Sequence, residues 1–143
     1  MTKGERVAFS YGRSSCVSGT LMAPAYDGRM RSLVSESRAE RGIRSNMRNM
    51  AAWYIGYACQ AAVAGRGITQ EQFRGMMTAV IQCDSPSNIT ELEYYRDLCA
   101  DFGVRSCYDE EGFNQILKSL GEDAYQTAYL PAAEEGEQYE HSF

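Results

Sequence analysis

Between Lys3 and Lys118 the chain has no lysine. A protein that holds nucleic acid in general must neutralise many phosphates with basic side chains. This chain instead carries a formal net charge of −5. No helix-turn-helix, RRM or KH signature accompanies its arginines. Histidine is nearly missing too. His141, in the last three residues, is the only one, so a Cys–His pair would require the C-terminal segment to fold back over a thiol. The GxSxG, GxGxxG, P-loop and HExxH patterns are all lacking. The cysteines are Cys16, Cys59, Cys83, Cys99 and Cys107, and no two have CxxC spacing. A zinc site needs four close donors, and this set does not supply them. The expectation is no enzyme, no metal and no cofactor. Cys59, Cys83 and Cys99 fall inside expected helices, where a buried reduced thiol is the ordinary state.

Long apolar runs are lacking as well. The nearest approach to a membrane span, Met50 to Ala64, includes Gln60 and falls short of the roughly 18 residues needed. The opening MTKGERVAFSYG has no apolar core of a secretory signal. The expectation is a cytoplasmic protein, or one acting within a host cell, with no membrane partner.

What is present suits one globular domain. The chain has 143 residues, of which 44% are hydrophobic and 23% charged, both ordinary for such a domain. Charge is polarised along the chain. Residues 1–50 hold nine basic and four acidic residues, a balance of +5, and residues 51–143 hold five and fifteen, a balance of −10. Such asymmetry points to electrostatic partnering and says nothing about fold.

The pattern reads as a mainly α, single-domain bundle of four to five helices. It carries an N-terminal arm over 1–30, the bundle over 31–121 and an acidic tail over 122–143. In the arm, Val7, Phe9 and Tyr11 alternate with polar residues and CVSGTLMA reads as a second extended piece, so the arm is irregular or a small hairpin. Pro24 and Gly28 argue against a helix before about residue 29. From about Ser32 to Ala64 the residues Ile43, Met47, Met50, Tyr54, Tyr57, Ala61 and Ala64 alternate four and three apart, which is one seam of a helix facing a neighbour. Gly42 is placed to split that region, and Gly65-Arg66-Gly67 ends it.

The next helix opens on a capping box at Thr69 and Gln72 and turns Phe73, Met76, Met77, Val80 and Ile81 inward. Thr90 or Asn88 caps another, with Leu92, Tyr95, Leu98, Cys99 and Phe102 inward and Gly103 as its stop. Asp109 caps the last, with Phe113, Ile116, Leu117 and Leu120 inward and Gly121 just past its end. In the tail, Tyr125 and Tyr129 are candidate anchors on the bundle or on a neighbour.

Two charged stripes stand out. At about 100° per residue, Arg38, Arg41, Arg44 and Arg48 fit an arc of roughly 120° that points away from the Ile43-Met47-Met50 seam. Glu93, Asp97 and Asp101 stand at i, i+4 and i+8, where like charges cost a few tenths of a kcal/mol each. Since each stripe lies opposite its own apolar face, the two are not expected to meet within one molecule. Solvated helix faces explain such runs most simply, because exposed ion pairs contribute only about 0–1 kcal/mol. Beyond that, the sequence favours a non-enzymatic interaction protein, an assembly component or adaptor that binds a protein partner or itself through these stripes and its terminal arms. An acidic inhibitor that mimics nucleic acid toward a basic host or enzyme surface, such as a virus or mobile element encodes, is the alternative. Nucleic-acid contact through the arginines comes third.

Overall fold

A computed structural model of the chain describes residues 2–19, 24–30, 33, 43–84, 88–106 and 108–123. These residues hold five α-helices, a 3-10 turn at Pro24–Tyr26 and a short helical piece at 28–30, with no strand among them. The mainly α architecture expected from the sequence is what the chain adopts.

The N-terminal arm is a correction. Residues Lys3–Val17 form a 15-residue helix, α1, where an irregular segment or hairpin was expected. Its start is fixed by a capping box. The Thr2 hydroxyl accepts the Glu5 N–H at 3.1 Å, and the Glu5 carboxylate accepts the Thr2 N–H at 3.1 Å, so two amides left over at a helix start are satisfied together. The buried residues are Glu5, Val7, Ala8, Phe9, Gly12, Arg13, Ser15 and Cys16, and the run Glu5, Ala8, Gly12, Ser15 steps three and four apart as a helix face requires. That run is small or polar, so hydropathy does not reveal it, while the buried Val7 and Phe9 stand two apart and, with Tyr11, imitate a strand.

The central helix, α2, spans Ile43–Val63 and packs against three others: α1, α3 (Gln70–Asp84) and α5 (Glu110–Asp123). Covered on several sides, it has every residue from 51 to 56 buried. The expected seam is therefore only one edge of its core face. Tyr54 and Ala61 are buried, Met47, Met50 and Tyr57 only partly so, and Ala64 is exposed. The deepest members are Ala51, Ala52, Trp53, Ala58 and Cys59.

Small residues let α1 lie directly on α2. A Cβ added to Gly12 would stand 1.9 Å from the Trp53 carbonyl oxygen, and one added to Gly56 would stand 2.1 Å from the Phe9 carbonyl oxygen. Each helix thus offers a glycine to the other's backbone. Helix α2 ends as expected at Gly65, whose φ is +78°. The Arg66 N–H donates to the Ala61 carbonyl at 2.8 Å, which closes the turn.

Helix α3 begins at the foreseen capping box, with the Thr69 N–H donating to Gln72 at 3.0 Å and the Gln72 N–H to Thr69 at 2.9 Å. Phe73, Met77, Val80 and Ile81 are buried and Met76 partly so. Helix α4 (Glu91–Asp101) is capped by Thr90, which accepts the Glu93 N–H at 3.1 Å, and packs on α3. Tyr95, Leu98, Cys99 and Phe102 face inward as expected. Leu92 is exposed, and Tyr94 takes the inward place instead. Gly103, at φ +80°, stops the helix. Asp109 caps α5 by accepting the Gly112 N–H at 2.7 Å.

Gly121 corrects its expected role. It lies inside α5, buried, where a Cβ would stand 2.7 Å from Val63 Cγ2 and 3.1 Å from the Cys59 carbonyl oxygen. It is a close-packing residue, and the helix runs two residues past it to Asp123.

Candidate interaction surface

Arg48 shows how the charges are used. Its Nε donates to Glu5 Oε2 at 3.1 Å and its Nη1 to Asp101 Oδ2 at 3.2 Å. The guanidinium also lies over the Phe102 ring, 5.0 Å from its centroid, where the negative face of the ring attracts a cation. One residue of the basic stripe and one of the acidic stripe therefore meet inside a single molecule. This overturns the expectation that the stripes stay apart and that Arg48 points away from the core. A helical wheel describes α2 alone and holds no record of α1 and α4, which bring Glu5 and Asp101 to Arg48. Glu5 is buried and Asp101 is 60% exposed, so the two halves of the bridge differ in weight. The buried half would leave an uncompensated carboxylate if broken, whereas the exposed half is an ordinary surface pair.

Other arginines also tie the fold together, Arg13 from a buried position and Arg29 and Arg66 from exposed ones. Arg13, 3% exposed, donates to Gln60 Oε1 at 3.0 and 2.9 Å and to the Gly121 carbonyl at 2.7 Å. Arg29 grips Asp27 through two nitrogens at 3.0 and 2.8 Å and reaches Ser14 Oγ and the Tyr11 carbonyl of α1 at 3.1 Å each. The buried Asp27 also accepts the indole N–H of Trp53 at 3.0 Å. Burial alone would raise the Asp27 pKa, but the hydrogen bonds from Arg29 and Trp53 outweigh it and hold the carboxyl below its usual value. Arg66 donates to the Cys16 carbonyl at 3.2 Å and sits 3.0 Å from its sulfur.

The carboxylates of α4 are arranged oppositely. Glu91, Glu93 and Asp97 are exposed and make no ion pair among the described residues. Glu91 and Glu93 sit in the first turn, where the helix dipole favours them. Asp97 lies a turn beyond Glu93, past the dipole's reach, and Arg96 between them makes no ion pair with either. Glu93 and Asp97 are thus the free members of the expected acidic stripe, with Asp101 tied to Arg48. Arg38, Arg41, Tyr125, Tyr129 and the side chain of Arg44 lie outside the described residues. The inward partners Glu5, Asp27 and Arg13 were missed in the sequence, and only the Thr2–Glu5 capping pattern offered a signal for any of them.

Among the described residues no group of His, Cys, Asp and Glu is placed to hold a metal ion, and no helix is long and apolar enough to cross a membrane. Burial pushes the Cys59 thiol up to about 12, with nearby Arg13 opposing it weakly, and the Cys99 thiol up to about 12 despite a hydrogen bond with Tyr95. Cys83, expected among the buried thiols, is exposed because it falls on the outer side of α3. Comparison with protein-family models, with curated proteins and with solved structures finds no match to the chain.

Proposed function

We propose that the protein is a non-enzymatic interaction protein, an assembly component or adaptor working in the cytoplasm or within a host cell, and that it presents the acidic face of α4 to a basic protein surface. The observation that supports this reading is the unequal use of charge. Arg13, Arg29 and Arg48 are spent on holding helices together, whereas Glu91, Glu93 and Asp97 stand exposed and make no ion pair among the described residues, with Arg96 the one cation on their helix. Unscreened surface charge of one sign steers a complementary partner and sets specificity more than raw affinity.

The test uses the whole chain and a Glu93→Lys/Asp97→Lys variant as paired baits on an extract of the native source, at low and high salt, read by mass spectrometry. A partner held by the parent at low salt, released at high salt and not held by the variant supports the proposal. Equal capture by both baits, or capture indifferent to salt, overturns it. Competition of the captured partner by nucleic acid would mark the acidic face as a mimic of a phosphate backbone.

A further inference from the structure

A cleft of about 240 Å³ opens where the end of α2 meets α5. One wall is a single face of α5, formed by Glu111, Asn114, Gln115 and Lys118, and the other is the turn carrying Gly65 and Gly67. The spacing of three, four and seven residues puts the four side chains in one row. Asn114 is committed to structure. Its Oδ1 accepts the Ile68 N–H at 3.1 Å and its Nδ2 donates to the Ile68 carbonyl at 2.8 Å, which locks the turn to α5 and fixes the two walls relative to each other. Glu111, Gln115 and Lys118 make no hydrogen bond or ion pair among the described residues. Across from them, a Cβ on Gly65 or Gly67 would meet nothing within 4 Å, so the space over the turn is open. The row ends in opposite charges. Seven residues at 1.5 Å rise place Glu111 and Lys118 about 10 Å apart along the helix.

We propose that this cleft binds a small zwitterion, one molecule with both a free ammonium and a free carboxylate, of amino-acid to dipeptide size. The ammonium meets Glu111, the carboxylate meets Lys118 and the amide of Gln115, and the backbone between them lies against the glycine turn, where no side chain stands in the way. Charge separations of about 3–7 Å in such ligands, with a charge-assisted bond of about 2.8 Å at each end, bracket the rise of about 10 Å between the two residues. The volume is smaller than the roughly 300–1,000 Å³ that holds drug-sized ligands, which sets the upper limit on what fits.

The experiment is an NMR titration of the full chain with glycylglycine, followed at the Gly67 and Gln115 amides. Saturable shifts at millimolar ligand are expected. N-acetyl-glycylglycine, which lacks the ammonium, and glycylglycinamide, which lacks the carboxylate, should each bind about tenfold more weakly, the worth of one charge-assisted bond. Glu111→Gln and Lys118→Met should each show the same loss. Both residues are exposed, so these variants keep the fold. Gly67→Val fills the cleft without changing its charge and should abolish the shifts. Absence of saturable shifts, equal shifts from the capped peptides, or unchanged binding by Lys118→Met would each overturn the assignment.

Discussion

Replacing Gly56 by alanine adds one methyl group and should lower stability by about 2 kcal/mol. The new Cβ would stand 2.1 Å from the Phe9 carbonyl oxygen and 2.9 Å from its carbon. Those atoms are backbone and cannot rotate aside, so α1 and α2 must part by more than about 1 Å to restore an ordinary contact. A gap of that size forfeits a quarter to a half of each dispersion contact it opens, along an interface that includes Ala8, Phe9, Ala52 and Trp53. Overpacking of this kind costs about 1–3 kcal/mol, and the rigid obstacle puts Gly56 at the upper end. Alanine returns about 1 kcal/mol through its better helix propensity.

The net loss should lower the melting temperature by roughly 7 °C for a domain of this size. Urea unfolding followed by Trp53, the single tryptophan, reads it directly, since that ring is buried and stacked on Tyr57 with centroids 5.8 Å apart. The control is the same substitution at Gly75, an exposed α3 position where a Cβ meets nothing within 4 Å. Gly75→Ala should stabilise by about 0.5–1 kcal/mol. If Gly56→Ala is as stable as the parent, the close crossing of α1 and α2 is not how the chain packs.

Arg48→Met should cost about 1–2 kcal/mol by leaving the buried Glu5 carboxylate short of its cation, while Asp101→Asn should cost under about 0.5 kcal/mol because that half of the bridge is exposed; urea midpoints of the two variants give the comparison, and equal losses would contradict it. Asp27 has a folded pKa below its unfolded value, so its contribution is complete above about pH 4 and is lost as the pH falls through the folded value. Asp27→Asn should therefore be less stable than the parent near pH 6, and the gap in urea midpoint should close on acidification; a gap that is constant or widens toward acid refutes the sign. Native-state alkylation at pH 8, mapped by peptide mass, should modify Cys83 quickly and leave Cys59 and Cys99 unreacted until urea is added, since their thiols are buried and pushed up to about 12. Labelling of Cys59 as fast as Cys83 would contradict the burial.

The parts of the fold that the sequence makes legible are those in which a local signal and a tertiary role coincide. Thr69, Thr90 and Asp109 cap their helices because a hydroxyl or carboxylate three residues ahead of an amide needs nothing distant to act. Helix α1 had such a signal at Thr2 and Glu5, but between its buried Val7 and Phe9 and the small Ala8, Gly12, Ser15 and Cys16 no apolar helical period stands out, and packing against α2 supplies what periodicity does not show. Arg48 is the opposite case. Its helical arc is a property of α2 alone, and its partners come from residues 43 positions before it and 53 after it. No spacing rule carries that information. The seam on α2 went astray for a related reason, since a wheel divides a helix into inner and outer faces and α2 has little outer face to give.

The bond from Arg13 to the Gly121 carbonyl joins residues 108 positions apart, and this dictates an order of events during synthesis. Helix α1 is made before α5, so its buried guanidinium lacks that acceptor until α5 has been made and docked on α2. Until then the Arg13 cation has the Gln60 amide oxygen of α2 as its acceptor, and α5 completes the set. Contacts of such long range slow folding. Damage to α5 is thus felt at α1, 108 positions earlier in the chain.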